Sequence, residues 1–158
     1  MSATDVKVLL KAAALAAAKA YAPYSRYKVG AAIRARDGSV FTGCNVENAS
    51  YGLTMCAERV AFASAVAAGH RKFTAIAIAA SGRLPPYPCG ACRQVMAEFC
   101  EPDFRVFTAG IGRLDAFDAT SLRHLLPKAF ALRSSGMSPR ATGRREAADA
   151  EAAAATDT

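Results

Sequence analysis

No apolar run in this chain is long enough to cross a bilayer, so a membrane-spanning protein is not expected. A signal peptide is not expected either. Residues 6–20 have the apolar content of a signal-peptide core, but Lys11 and Lys19 interrupt the stretch and Asp5 precedes it. Lysine and arginine outnumber the acids by 20 to 13, yet they are scattered, with no long basic run and no interleaved aromatics. A surface built to track nucleic acid is therefore not expected, and the +7 charge reads as a solvated surface. Cysteine is sparse and odd in number, at five, which argues against a disulfide scaffold. A reducing compartment with thiolates reserved for metal fits that count. These absences lead to the expectation of a soluble, cytoplasmic protein that works without a membrane or a nucleic acid.

The 158 residues suffice for one domain with a substantial core. Hydrophobic content is 53%, but alanine inflates it, so the core must be read from pattern. Val6, Leu9, Leu10, Ala13, Ala14 and Ala17 recur at helical spacing and predict a helix over residues 4–20, capped by Ser2 or Thr4. Strands are predicted over 27–36 and 39–44, joined at the turn Asp37-Gly38 and hence antiparallel. Residues 54–68 read as a helix stopped by Gly69, and 73–80 as a buried strand. A Gly- and Pro-rich loop over 81–88, a helix over 90–99, a strand over 104–108 and a helix over 119–126 follow. Strands joined through a helix should run parallel, and helices should cover both faces of a mixed sheet. The folded domain is expected to span 1–130. Residues 131–158, polar and alanine-repeat in character, are expected to form a mobile tail with at most a transient helix near 145–155.

The chemistry is concentrated in two segments, Cys56-Ala57-Glu58-Arg59 and Pro88-Cys89-Gly90-Ala91-Cys92-Arg93. Three thiolates at Cys56, Cys89 and Cys92 leave a fourth position open on a tetrahedral zinc, as in catalytic centres. Water there ionises near neutrality. Glu58, two residues past the first cysteine, is placed to handle its protons without binding the metal. A closed folding site with Cys44, Cys100 or a histidine as fourth ligand is the competing reading, and it leaves Glu58 without a role. Both cysteine segments should start helices, where the dipole favours thiolate. Arg59 and Arg93, each beside a ligand, are candidates to donate to sulfur.

Taken together, the two segments match the signature of zinc nucleobase deaminases. The chain further resembles the small, free-nucleoside cytidine deaminases, through residues 24–32 (YSRYKVGAA), 43–52 (GCNVENASYG), the two zinc segments and Leu125-Leu126-Pro127 before Phe130. The resemblance covers about residues 5–130. It implies a three-layer α/β/α fold with a mixed five-stranded sheet, one Zn²⁺ per subunit, and a homotetramer whose neighbouring subunits complete each pocket. It implies hydrolytic deamination of cytidine and 2′-deoxycytidine in pyrimidine salvage. By the same resemblance Glu58 is the proton shuttle, Asn45 and Glu47 bind the ribose hydroxyl, and Tyr27 lies against the base. Ala57 belongs to the substrate pocket, Tyr51 reaches into a neighbouring site, and Phe130 covers the pocket. An amide and a carboxylate two apart on an extended segment face one side and can fork a sugar hydroxyl. Two positions depart from the family pattern: Tyr27, usually Phe, and Tyr87, usually a small residue. Three other readings of the same segments are a deaminase of modified nucleosides, a polynucleotide deaminase and a silent zinc scaffold. The segment from Asn45 to Gly52, Cys rather than His at position 56, and Glu58 respectively argue against them.

Overall fold

A computed structural model describes residues 1–82 and 84–131. The tail expected over 131–158, with its helix near 145–155, lies outside the described residues except for Ala131. The chain divides into two compact units, Met1–Pro127 and Lys128–Thr158. The first contains every element named below.

Helix α1 spans Ala3–Ala17. Ser2 and Asp5 close a reciprocal capping box at its start, each side chain bonded to the other's backbone N–H. Strands β1 (Val29–Ala35) and β2 (Val40–Cys44) form the expected hairpin. Gly38 turns it with a φ of +96°, and Asp37 accepts the Ser39 N–H at 3.0 Å. Helix α2 (Ala57–Ala67), β3 (Phe73–Ala80), α3 (Gly90–Phe99) and β4 (Arg105–Gly110) follow. The last elements among the described residues are β5 (Asp118–Ser121) and the one-turn helix α4 (Leu122–Leu125). The sheet order is β2-β1-β3-β4-β5. In this sheet the β3–β4 pair, joined through α3, is parallel, and the β1–β2, β1–β3 and β4–β5 pairs are antiparallel.

The expected helix over 119–126 is corrected here. Asp118–Ser121 is an edge strand, pairing antiparallel with β4 from Arg105↔Ser121 to Thr108↔Asp118. The leucines at 122, 125 and 126 do share one face, but only one helical turn carries them. Upstream, the unpaired edge of β4 offers ladder hydrogen bonds that a short helix would forgo.

Two cores lie on opposite faces of the sheet. Val6, Leu9, Leu10 and Ala13 of α1 pack on Ala32, Ala75, Ala77, Ala79 and Ala109. Ala61, Phe62 and Ala65 of α2 and Met96 of α3 pack on Ala31, Ile33, Ile76, Ile78 and Val106. The alternation along β1 and β3 is the pleat of a sheet buried on both sides. Phe62 anchors the second core against Phe73, Phe99 and Phe104.

Helix α2 approaches the sheet closely because Gly43 lies beneath it. A Cβ there would stand 2.4 Å from the Ala61 nitrogen and 2.5 Å from the Ala57 oxygen. Both contacts are backbone, so no side-chain rotation relieves them. Gly43→Ala is expected to cost about 1–3 kcal/mol, the usual range for overpacking. Denaturant unfolding should show the midpoint falling by that free energy divided by the slope m, and an unchanged midpoint would contradict the close packing.

Candidate metal centre and substrate pocket

The three cysteines meet at two helix starts. Cys56 is the N-cap of α2 and Cys89 the N-cap of α3, while Cys92 lies buried in the first turn of α3. Their sulfurs lie within 4.8 Å of one another, with Cys56–Cys89 at 3.9 Å and Cys89–Cys92 at 3.6 Å. Tetrahedral zinc with Zn–S bonds of about 2.3 Å spaces its sulfurs by about 3.8 Å, so the trio fits that ion. Hydrogen bonding from Cys92, then from Arg59 and Cys89, lowers the Cys56 thiol to about 5. Cys92 moves the opposite way as the proton-holding partner of the pair. Cys44 ends β2 outside this cluster. Cys100, just past α3, packs against the second core, and burial pushes its thiol up.

Glu58 is the second residue of α2 and only 5% exposed. Burial first, and the negative Cys56 sulfur next, raise its carboxyl above the ordinary range. An acid in that condition gives and takes protons closer to neutrality. Ala57, ahead of it, is fully buried.

The two arginines differ. Arg59 Nη2 donates to the Thr54 carbonyl at 2.7 Å and to Cys56 Sγ at 3.8 Å, while its buried Nε has no hydrogen-bond partner among the described residues. Among the described residues Arg93 donates to no sulfur. Its Nε donates to the Pro88 carbonyl at 2.7 Å and its Nη1 to the Leu125 carbonyl at 2.8 Å. It therefore braces the loop before Cys89 against α4. Its planar fork suits two carbonyls better than one soft sulfur.

Asn45 and Glu47 both reach the segment from Tyr24 to Val29. The Asn45 amide accepts from the Val29 N–H at 2.8 Å and donates to the Tyr27 carbonyl at 2.9 Å. Glu47 accepts the backbone N–H groups of Tyr24 and Ser25 and the Ser25 hydroxyl. Tyr27 is 42% exposed, and burial followed by the charge of Glu58 raises its phenol. A Cβ on Gly82 would meet its ring at 3.4 Å. The neighbouring cleft, about 400 Å³, is lined by Tyr24, Ser25, Glu47, Asn48, Tyr51 and Thr54. Tyr51 is exposed on a short 3₁₀ turn, its ring edge-on to Tyr24 at 6.2 Å. Phe130 belongs to the second unit. Tyr87 donates its hydroxyl to Asp118 on β5, a contact that sequence spacing gave no signal for.

The family model for the cytidine and deoxycytidylate deaminase zinc-binding region matches residues 3–108. A cytidine deaminase of Halalkalibacterium halodurans is 50% identical over 127 residues, covering 80% of this chain and 94% of that protein. The crystal structure of cytidine deaminase from Burkholderia pseudomallei superimposes with a TM-score of 0.75 at 51% identity, over 82% of this chain and 100% of that one. The structure of the Mycobacterium tuberculosis cytidine deaminase gives a TM-score of 0.70 at 40% identity, over 81% and 98%.

Proposed function

The chain belongs to the cytidine and deoxycytidylate deaminase family, and from that premise we propose that it hydrolyses cytidine and 2′-deoxycytidine to uridine and 2′-deoxyuridine with release of ammonia. The observation that carries this reading is the convergence of three cysteine sulfurs beside a buried glutamate. Cys56, Cys89 and Cys92 would hold the metal, and a zinc ion bound there supplies a Lewis acid that makes water nucleophilic near neutral pH. Glu58 takes a proton from the attacking water and passes it to the adjacent ring nitrogen, which makes the carbon electrophilic. The water oxygen bonds to that carbon, and the same carboxyl takes the second proton from the new hydroxyl and gives it to the amine, whose C–N bond breaks as ammonia leaves. Arg59 steadies the Cys56 thiolate from outside the ligand set.

In this reading Tyr27 packs against the pyrimidine, Ala57 contributes to its pocket, and Asn45 and Glu47 face the sugar. Tyr51 reaches a neighbouring site, and Phe130 supplies an apolar cover. The assembly is a homotetramer. Its support in the single subunit is an exposed apolar patch. Tyr21, Val46 and Met55 lie side by side through two β-bridges, and Tyr24, Tyr51 and Leu53 are exposed in the same region of sequence. Among the described residues no helix is long and apolar enough to cross a membrane. Pyrimidine salvage in the cytoplasm suits a free-nucleoside substrate and reduced thiol ligands, with no nucleic-acid partner.

The decisive assay follows the ultraviolet absorbance of cytidine with purified, zinc-loaded protein. Steady loss of absorbance with ammonia release is expected, and its absence at high enzyme concentration would refute the reading. Two truncations test the boundary. A chain ending at Phe130 should keep its oligomeric mass and activity. The 131–158 segment carries four arginines (133, 140, 144, 145) against four acids (146, 149, 151, 157), so its loss leaves the net charge unchanged. A chain ending one residue earlier should raise KM for cytidine by about ten-fold, the scale of one buried aromatic contact. Light scattering and kinetics read both, and a monomeric or inactive chain ending at Phe130 would give the last residues a structural role.

A further inference from the structure

The reaction outlined above has no task for Ser25, yet this residue joins two of the groups assigned to the nucleoside. Its hydroxyl donates to Glu47 Oε1 and accepts the Tyr27 backbone N–H at 3.0 Å. Its own N–H donates to Glu47 Oε2 at 3.3 Å, beside the Tyr24 N–H at 2.9 Å. Arg26, between Ser25 and Tyr27, has a φ of +58°, and this left-handed residue brings the Tyr27 N–H back to the serine oxygen. From the other side, Asn45 clips the Tyr27 carbonyl and the Val29 N–H.

An ionised carboxylate offers about four acceptor positions. Among the described residues Oε2 of Glu47 receives two donors and Oε1 receives one. One acceptor position is left on Oε1, and the Ser25 bond sets the direction in which it points. We propose that Ser25 is a positioning residue that aims the last free lone pair of Glu47 at a single sugar hydroxyl, and so determines how strongly the pocket demands that hydroxyl. This rests on the reading of the site as a nucleoside pocket. The cleft bounded by Ser25, Glu47 and Tyr51 gives the sugar room on that side. Loss of the serine hydroxyl leaves Glu47 held only through Oε2, by the Tyr24 and Ser25 N–H groups, so no donor fixes the direction of Oε1 and a second lone pair turns to solvent. A correctly aimed hydrogen bond becomes one of several orientations.

The test compares cytidine with 2′,3′-dideoxycytidine, which lacks both sugar hydroxyls of that edge. The ratio of their kcat/KM values on one preparation is independent of how much of it is folded. In the unaltered protein the ratio should favour cytidine strongly. Ser25→Ala should shrink it by about ten-fold or more, the scale of one hydrogen bond to a charged group. The loss should come through KM for cytidine, with kcat and the dideoxy substrate little changed. Ser25→Thr, which keeps the hydroxyl, should restore most of the ratio. An Ser25→Ala protein whose ratio is unchanged, or a Ser25→Thr protein that loses discrimination equally, would overturn the proposal. Absence of cytidine turnover in the unaltered protein would instead overturn the nucleoside reading itself.

Discussion

Glu58→Gln is expected to keep the fold and the metal while losing cytidine turnover by about a hundred- to ten-thousand-fold, the span of general acid–base catalysis. The substitution preserves shape within α2, where the side chain is buried, so packing is nearly unaltered. It removes the capacity to move a proton between water, ring nitrogen and amine. Stability should not fall with activity. The carboxyl is raised by burial and by the Cys56 charge, so its ionised form costs the fold stability at pH values above its folded pKa. That cost disappears as pH drops below the unfolded value, and the neutral amide never incurs it. A melting temperature equal to or above that of the unaltered protein, together with collapsed turnover, is the expected pair of results. Retention of more than about a tenth of the rate would remove Glu58 from its proposed role.

Cys89→Ser should take the zinc content from one ion per chain towards none, whereas Cys44→Ser and Cys100→Ser should leave it intact. Serine does not ionise near neutrality and makes a poor ligand for this borderline-soft ion. Cys89 is the sulfur common to both short contacts of the cluster, at 3.9 and 3.6 Å, so its loss opens the trio at its centre. The affinity loss should exceed the roughly ten- to hundred-fold typical of losing an outer hydrogen-bonding partner. Cys44 stands outside the cluster, and Cys100 lies against apolar side chains where a thiolate is disfavoured. Metal analysis of the three variants decides the ligand set. Equal zinc loss from Cys44→Ser would show that it is wrong.

Much of this site was legible because its signals are local. Cys56 and Cys89 begin helices and Cys92 follows within the first turn, so spacing along the chain predicts how they converge once two helix starts meet. The strand Phe73–Ala80 and the helix Gly90–Phe99 carry their own apolar patterns and match expectation at both ends. The Asp37-Gly38 turn likewise contains its own hydrogen bond and its own positive φ.

The sequence by itself thus determined the meeting of three cysteines able to hold a metal ion, the acid beside them, the order of the main elements and their layering about a mixed sheet. Each of these depends on residues close in sequence or on repeating apolar faces. The tertiary structure decided the rest, because the outcome depended on which backbone groups lay near by after folding. Asp118–Ser121 became a strand when β4 offered an edge. Arg93 turned from sulfur to the carbonyls of Pro88 and Leu125, the latter 32 residues away. Ser25 gained its place only when the chain brought Glu47, 22 residues on, against its hydroxyl. Hydrogen-bonding capacity is written in the residue, but its partner is chosen by the fold, since a buried polar group takes whichever donor or acceptor the packed elements bring within reach.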